Sequence, residues 1–157
     1  MTTFTPDRIL LFVHGATYPA ETAFDLQLDG LSWMDHIAQR GYDVYLMDVR
    51  GYGRSTRPPE MAQAARENRP IAHTDVAVKD FATVVDHILA RRGVAKINLM
   101  AWSWGTVIAG AYAAQNNDKV ERLVLYAPVW LRQTPSLVRV EGSHLFREVQ
   151  LFLDEAR

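Results

Sequence analysis

Residues 97–105, Ile97-Asn98-Leu99-Met100-Ala101-Trp102-Ser103-Trp104-Gly105, decide how this chain is read. Ile97 to Ala101 is a short apolar run with the character of a buried strand, and Trp104 to Gln115 is a helix crowded with Ala and Gly. Strand therefore turns into helix at Ser103, with no room for a loop. A turn that sharp holds the serine in strained backbone geometry and brings the residues two before and two after it close together, so both must be small. Ala101 and Gly105 meet that requirement. Ser103 then stands at the N-terminus of a helix, whose amides and dipole favour a developing negative charge. An ordinary serine capping that helix is the plain alternative.

Working outward, Arg8 to Val13 is a continuous apolar run closed by His14 and Gly15, and Tyr42 to Val49 is a second strand of the same buried kind. Between them Ser32 begins a short helix, with Asp35 at capping-box spacing, and Arg40-Gly41 ends it. Trp33, Met34, Ile37 and Ala38 are expected to face a sheet. Residues 50–73 are a long loop, because Gly51, Gly53 and Pro58-Pro59 break regular structure. From Thr74 to Arg92 the positions Phe81, Val84, Val85, Ile88 and Leu89 recur at helical spacing, and Gly93 stops the helix. Val120 to Tyr126 is a fourth strand ending before Pro128. Strand and helix alternate throughout, which predicts an α/β fold: a mostly parallel sheet of about four strands with helices on both faces and a ligand site at the strands' carboxyl ends.

The chain has 157 residues, 48% of them hydrophobic and 22% charged, enough for one globular core. Its 17 Lys and Arg against 18 Asp and Glu leave a net charge of −1, which offers no footprint for nucleic acid or an anionic membrane. A small neutral molecule suits this surface better. There are no cysteines, which excludes disulfides, thiolate catalysis and Cys-ligated zinc and agrees with a cytoplasmic location. Ile9 to Val13 is too short for an export signal, and no run approaches the roughly 20 apolar residues of a membrane helix.

Two further segments bear on the chemistry. At His14-Gly15-Ala16-Thr17, a sharp turn at the end of the first strand can aim a backbone amide toward Ser103, with Ala16 the candidate donor. Asp48-Val49-Arg50-Gly51-Tyr52-Gly53-Arg54-Ser55 follows the second strand. Each segment taken singly is explained by turn formation. The three together, in this order, resemble the α/β-hydrolase family over residues 8–128: a His-Gly oxyanion strand end, an Asp-x-Arg-Gly-x-Gly-x-Ser loop and a serine elbow.

That resemblance implies Ser103 as nucleophile, with the Ala16 and Trp104 amides as oxyanion donors. His14, Gly15, Asp48, Ala101 and Gly105 are implied as support for the motif, and no metal or cofactor is called for. Ala101 stands where the family usually has Gly. The family also carries two strands ahead of the His-Gly strand, and beyond the fourth strand a lid and two strands whose ends bear the catalytic Asp or Glu and then His. Residues 1–128 are thus expected to be a partial hydrolase core and 129–157 the start of a lid or cap, in which a helix begins near Ser143.

A serine hydroxyl needs a base, and the base needs orienting. His36 and His87 fall on predicted helices and His73 in the long loop. His14 ends the strand beside that of Ser103, and His144 lies in the expected lid helix. Asp48, Glu141 and Glu148 are carboxylates without an assigned partner. Tyr18, Phe24, Trp102, Trp104 and Trp130 are candidates for an apolar pocket wall, each with core packing as its simpler role. Arg50, Arg54 and Arg57 read as a solvated loop face.

The function this implies is a cofactor-independent serine hydrolase acting on a carboxylic ester or related acyl bond of a small molecule. Two alternatives use the same residues: a noncatalytic chain that keeps the architecture without the acid and histidine, and half of an assembly completed by another polypeptide or a second copy through the sheet edge at Val120 to Tyr126.

Overall fold

Ile9–Val13 forms β1, and all five residues are buried because strands lie on both sides of it. In the computed structural model, which describes residues 5–64, 67–68 and 71–129, β1 pairs in parallel with β2 (Asp43–Met47) and β3 (Ile97–Trp102). Beyond β3 lies β4 (Val120–Tyr126), also parallel, so the sheet order among the described residues is β2-β1-β3-β4.

Alternation along β1 assigns the two faces of the sheet. Ile9, Leu11 and Val13 point into the larger core, against α3 (Thr74–Arg92) and α4 (Trp104–Gln115), with Phe81, Val85, Ile88 and Ile108. Leu10 and Phe12 point the other way, onto α1 (Ala20–Phe24) and α2 (Trp33–Ala38) through Ala20, Phe24, Met34 and Ile37. Helices therefore cover both faces, as the alternating pattern requires. Burying side chains such as Phe12 and Phe81 contributes roughly 1.5–3 kcal/mol each.

Local chemistry ends the elements where the sequence signals it. Ser32 and Asp35 form a complete capping box on α2, and Gly93 closes α3 in the left-handed region at φ 64°. Buried Asn98 donates from Nδ2 to the carbonyls of Asp7 and Ile9 at 2.8 and 2.9 Å, pinning β3 to the start of β1.

Several expectations are corrected. The second strand is shorter than Tyr42 to Val49, and only Met47 within it is buried, because β2 lies at a sheet edge. On α2, Met34 and Ile37 pack on the sheet, but Ala38 is exposed, and Trp33 touches Phe12 while 41% of it stays exposed. The 3-10 turn Pro59–Ala62 lies within the stretch 50–73 read as loop, and the helix Ala20–Phe24 lies where no element was expected. The fourth strand holds its expected bounds, yet only Val120 of its seven residues is buried, leaving Leu123, Val124, Leu125 and Tyr126 as an apolar edge. The expected lid helix, with Trp130, Glu141, His144 and Glu148, lies outside the described residues.

Candidate active site

The strand registers align three chain segments at one end of the sheet. Val13 pairs with Met47 on one side and Ala101 on the other, so His14, Asp48 and Trp102, the last residue of β3, stand at the same level. Ser103 follows immediately, between β3 and α4, with φ 52° and ψ −121°. That combination lies outside the regions an L-residue ordinarily occupies, and holding it costs about 1–3 kcal/mol. The surroundings enforce it. The Ser103 amide donates to the Tyr126 carbonyl at 3.0 Å, while its own carbonyl accepts from Thr106 N–H at 2.9 Å and from Thr106 Oγ1 at 2.5 Å. Thr106 Oγ1 in turn accepts from Val129 N–H at 3.2 Å.

Strain of this kind is measurable. Ser103→Gly is expected to be about 0.5–1 kcal/mol more stable than Ser103→Ala, because only glycine relaxes at positive φ while it loses more chain entropy on folding. Urea denaturation of the two variants checks this, and a glycine variant no more stable than the alanine one would show that no strain is stored.

Both neighbouring glycines are there for space. A Cβ on Gly105 would lie 2.6 Å from the His14 carbonyl oxygen and 2.8 Å from that of Val13, so α4 starts directly against the end of β1. A Cβ on Gly15 would lie 2.9 Å from Ser103 Cβ and 3.3 Å from the Trp102 carbonyl oxygen. Ala101 is fully buried in the larger core, where its methyl is tolerated in place of the family's Gly. Trp104 is the first residue of α4, so its amide is one of the N–H groups without an intrahelical acceptor. Ala16 precedes Thr17, a β-branched residue held at φ 80° whose amide donates to the Tyr52 hydroxyl at 3.3 Å.

His14 is fully buried, and both ring nitrogens are engaged. Nε2 accepts from Val49 N–H at 3.0 Å, so Nδ1 carries the proton and donates to the Gly15 carbonyl at 2.6 Å. The ring therefore ties the end of β1 to the segment after β2 and has no nitrogen left for Ser103, which removes it as a candidate base. Burial lowers its pKa from the usual 6.5, against the opposing pull of the Gly15 bond and the Asp48 charge. The unfolded chain then takes up the proton first as pH falls. Stability is expected to be full above about pH 6.5 and to fall below it, by at most about 1.4 kcal/mol per pH unit from this group. Urea midpoints measured from pH 7.5 to 5.5 test this, and no decline over that range would contradict it.

Asp48 is the hinge of the neighbouring loop. Its Oδ1 accepts from Ala20 N–H at 2.8 Å and its Oδ2 from Arg54 N–H at 2.9 Å, which joins the start of α1 to the Gly-rich loop. Tyr52, on that loop, packs its ring on His14 at 4.6 Å and faces Trp104 at 6.3 Å between ring centres. This role of Tyr52 was not legible from its motif position. Arg50 forms a two-point pair with Asp80 of α3 at 2.7 and 2.5 Å, Arg54 pairs with Glu21, and Arg57 is exposed, in keeping with a loop face and not an anion site.

Of the aromatic candidates, Tyr18, Phe24 and Trp102 wall a hollow of about 270 Å³ beside the elbow, joined by Trp33 and Tyr126. Trp104 does not; its side chain is buried in the larger core. Among the described histidines, His36 and His87 sit exposed on α2 and α3, His73 precedes the first turn of α3, and none hydrogen-bonds Ser103. Also among the described residues, no group of His, Asp and Glu is placed to hold a metal ion, and no helix is long and apolar enough to cross a membrane.

A parallel sheet with helices on both faces, a positive-φ serine between strand and helix, and glycines at both contact points define an α/β-hydrolase core. The sequence pattern of the alpha/beta hydrolase fold matches residues 8–152, and the chain belongs to that family. It is 32% identical over 97 residues to a probable lipase of Schizosaccharomyces pombe, covering 60% of this chain and 22% of the lipase. Over 148 residues it is 25% identical to a multifunctional-autoprocessing repeats-in-toxin protein of Vibrio vulnificus, covering 91% of this chain and 2% of the toxin. Among solved structures, 2-hydroxy-6-oxo-6-phenylhexa-2,4-dienoate hydrolase of Rhodococcus shares the fold with a TM-score of 0.60 at 15% identity, over 85% of this chain and 43% of that enzyme. A lipase-esterase related protein of Clostridium acetobutylicum does so with a TM-score of 0.55 at 16% identity, over 82% and 45%. The chain thus spans less than half the length of each of these relatives.

Proposed function

We propose that this chain carries the nucleophile-bearing part of a serine hydrolase that cleaves a carboxylic ester or related acyl bond of a small molecule. The observation that carries the reading is the positive-φ Ser103 at the head of α4, wedged against Gly15, a geometry that presents the hydroxyl instead of burying it. Ser103 Oγ attacks the acyl carbon while a base removes its proton, and the Ala16 and Trp104 amides bind the oxygen that becomes negative. Collapse expels the alcohol, which takes up that proton, and leaves an acyl-serine. Water then attacks the acyl carbon as the base takes its proton, and collapse returns that proton to Ser103 Oγ, releasing the acid and free Ser103. His14 cannot be the base, so the base comes from outside the described residues. Every step uses side chains and amides alone, and the neutral, cysteine-free composition favours a small neutral substrate and a cytoplasmic location. The lipase similarity points the same way.

Exposure of the chain to a fluorophosphonate followed by mass spectrometry is expected to place the adduct on Ser103 and to give none with Ser103→Ala. An adduct undiminished in that variant would sink the assignment.

A second reading is favoured by the apolar edge of β4, where Tyr126 is 58% exposed and Val124 49%. An apolar strand whose outer side has no partner among the described residues invites another strand. In that reading a second copy or another polypeptide completes the sheet and brings the base. Light scattering that finds a stable monomer with serine-dependent turnover would reject it.

A further inference from the structure

We infer that the aromatic hollow beside Ser103 receives a flat, uncharged aryl group of the substrate, an inference that rests on Ser103 being the nucleophile. Its walls are the rings of Tyr18, Phe24, Trp33, Trp102 and Tyr126, with no charged side chain among the lining residues. The one aliphatic hydroxyl in the wall is already used, since Thr22 Oγ1 donates to the Pro19 carbonyl at 3.0 Å. A charged group would enter without an opposite charge to pair with and would be poorly solvated.

The rings are not simply core. Tyr18 is 57% exposed and Tyr126 58%, so apolar faces meet solvent around the hollow. The deeper side is rigid, because Trp33 rests on Phe12 at 5.4 Å and on Phe24 at 5.9 Å, and Phe12 stacks on Phe24 at 4.6 Å between ring centres. At the mouth, Tyr18 and Trp102 lie near-parallel at 28°, with centres 6.4 Å apart, toward the far end of the ring-contact range. Aromatic walls discriminate by shape and quadrupole, so a planar aryl group gains contacts that a puckered saturated ring of equal carbon number does not.

The hollow also borders the turn that carries Ser103, since Trp102 in its wall directly precedes the serine. A Cβ on Gly15 would lie 3.4 Å from the Trp102 ring and 2.9 Å from Ser103 Cβ, so that one glycine touches both the wall and the serine. On the other side the Tyr126 carbonyl holds the Ser103 amide at 3.0 Å.

The test is calorimetric titration of the Ser103→Ala chain, which blocks turnover, with 2-naphthyl acetate and with its saturated analogue decahydro-2-naphthyl acetate. The naphthyl ester is expected to bind at least tenfold more tightly. Tyr18→Leu, at an exposed loop position, is expected to reduce that preference at least fivefold, and Thr22→Asp, exposed on α1, to abolish binding by bringing a charge into the hollow. Unchanged circular dichroism verifies the fold of both variants. Equal affinity for the two esters, or normal binding in both variants, overturns the inference. Ser103 labelling with no aryl preference removes the hollow and keeps the nucleophile; aryl preference with no labelling keeps the hollow and removes the nucleophile.

Discussion

Gly105→Ala is expected to destabilise the chain by about 3 kcal/mol, the upper part of the usual range for overpacking. The added methyl would sit 2.6 and 2.8 Å from the carbonyl oxygens of His14 and Val13, and neither can yield. Val13 ends β1, which is held between β2 and β3 and is buried throughout, and His14, directly after it, is fully buried as well. The helix must therefore move away, carrying with it the Trp104 amide and the elbow. Gly110→Ala is the control within the same helix, because a Cβ there meets nothing within 4 Å. It is expected to stabilise by about 0.5–1 kcal/mol, the ordinary gain of replacing glycine inside a helix. Urea denaturation of the two variants thus compares opposite signs from one chemical change. A Gly105→Ala chain as stable as the parent would mean that α4 is not seated on β1 as described.

The contrast between those glycines explains what the sequence could and could not disclose. Gly105 was legible because a strand running directly into a helix leaves one geometry at Ser103, and that geometry dictates small neighbours. The strands, the long helix α3 and the helix α4 were legible for the same kind of reason: their signals are local, in a continuous apolar run, a helical repeat or a terminating glycine. Burial on β2 and β4 was not local. Tyr42 to Val49 and Val120 to Tyr126 have the composition of interior strands, yet order β2-β1-β3-β4 puts both at the edges of the described sheet, and composition carries no record of neighbours. The aromatic residues show the same limit. Trp102 and Trp104 flank Ser103 symmetrically in sequence, but the strand sends one ring to the α1 side and the helix turns the other into the larger core beside Tyr52. His14 was ambiguous for a related reason. Its position beside Ser103 follows from strand order, whereas its unavailability follows from Val49 N–H and the Gly15 carbonyl, which are backbone groups that every sequence possesses.

Asp48→Ala is expected to cost about 3 kcal/mol, because one carboxylate holds two backbone donors and hydrogen bonds to charged groups contribute roughly 1.5–3 kcal/mol each. Losing the Arg54 N–H bond is partly offset, since Arg54 is exposed and water can take the place of Oδ2. The Ala20 N–H has no such recourse, because Ala20 is fully buried at the start of α1. Asp48→Asn should recover only part of the loss, as its amide NH2 would face one of the two N–H donors. Gly53 makes the argument testable in a second way. It lies at φ 46°, and a Cβ there would overlap the Asp48 carboxylate. Gly53→Ala alone therefore suffers both backbone strain and a clash, expected to total about 2–3 kcal/mol. In the double variant the clash has no partner, so the combined loss should fall short of the sum of the single losses by about 1 kcal/mol or more. Strict additivity would separate Gly53 from Asp48 and leave the loop's glycine explained by its backbone alone. Non-additivity would identify the carboxylate as the post around which the loop is wound, and the same post holds the start of α1, four residues beyond Ala16. Displacing it should then loosen the segment proposed to offer the second oxyanion amide, so that Asp48→Ala slows fluorophosphonate labelling of Ser103 while Gly110→Ala leaves the labelling rate unchanged.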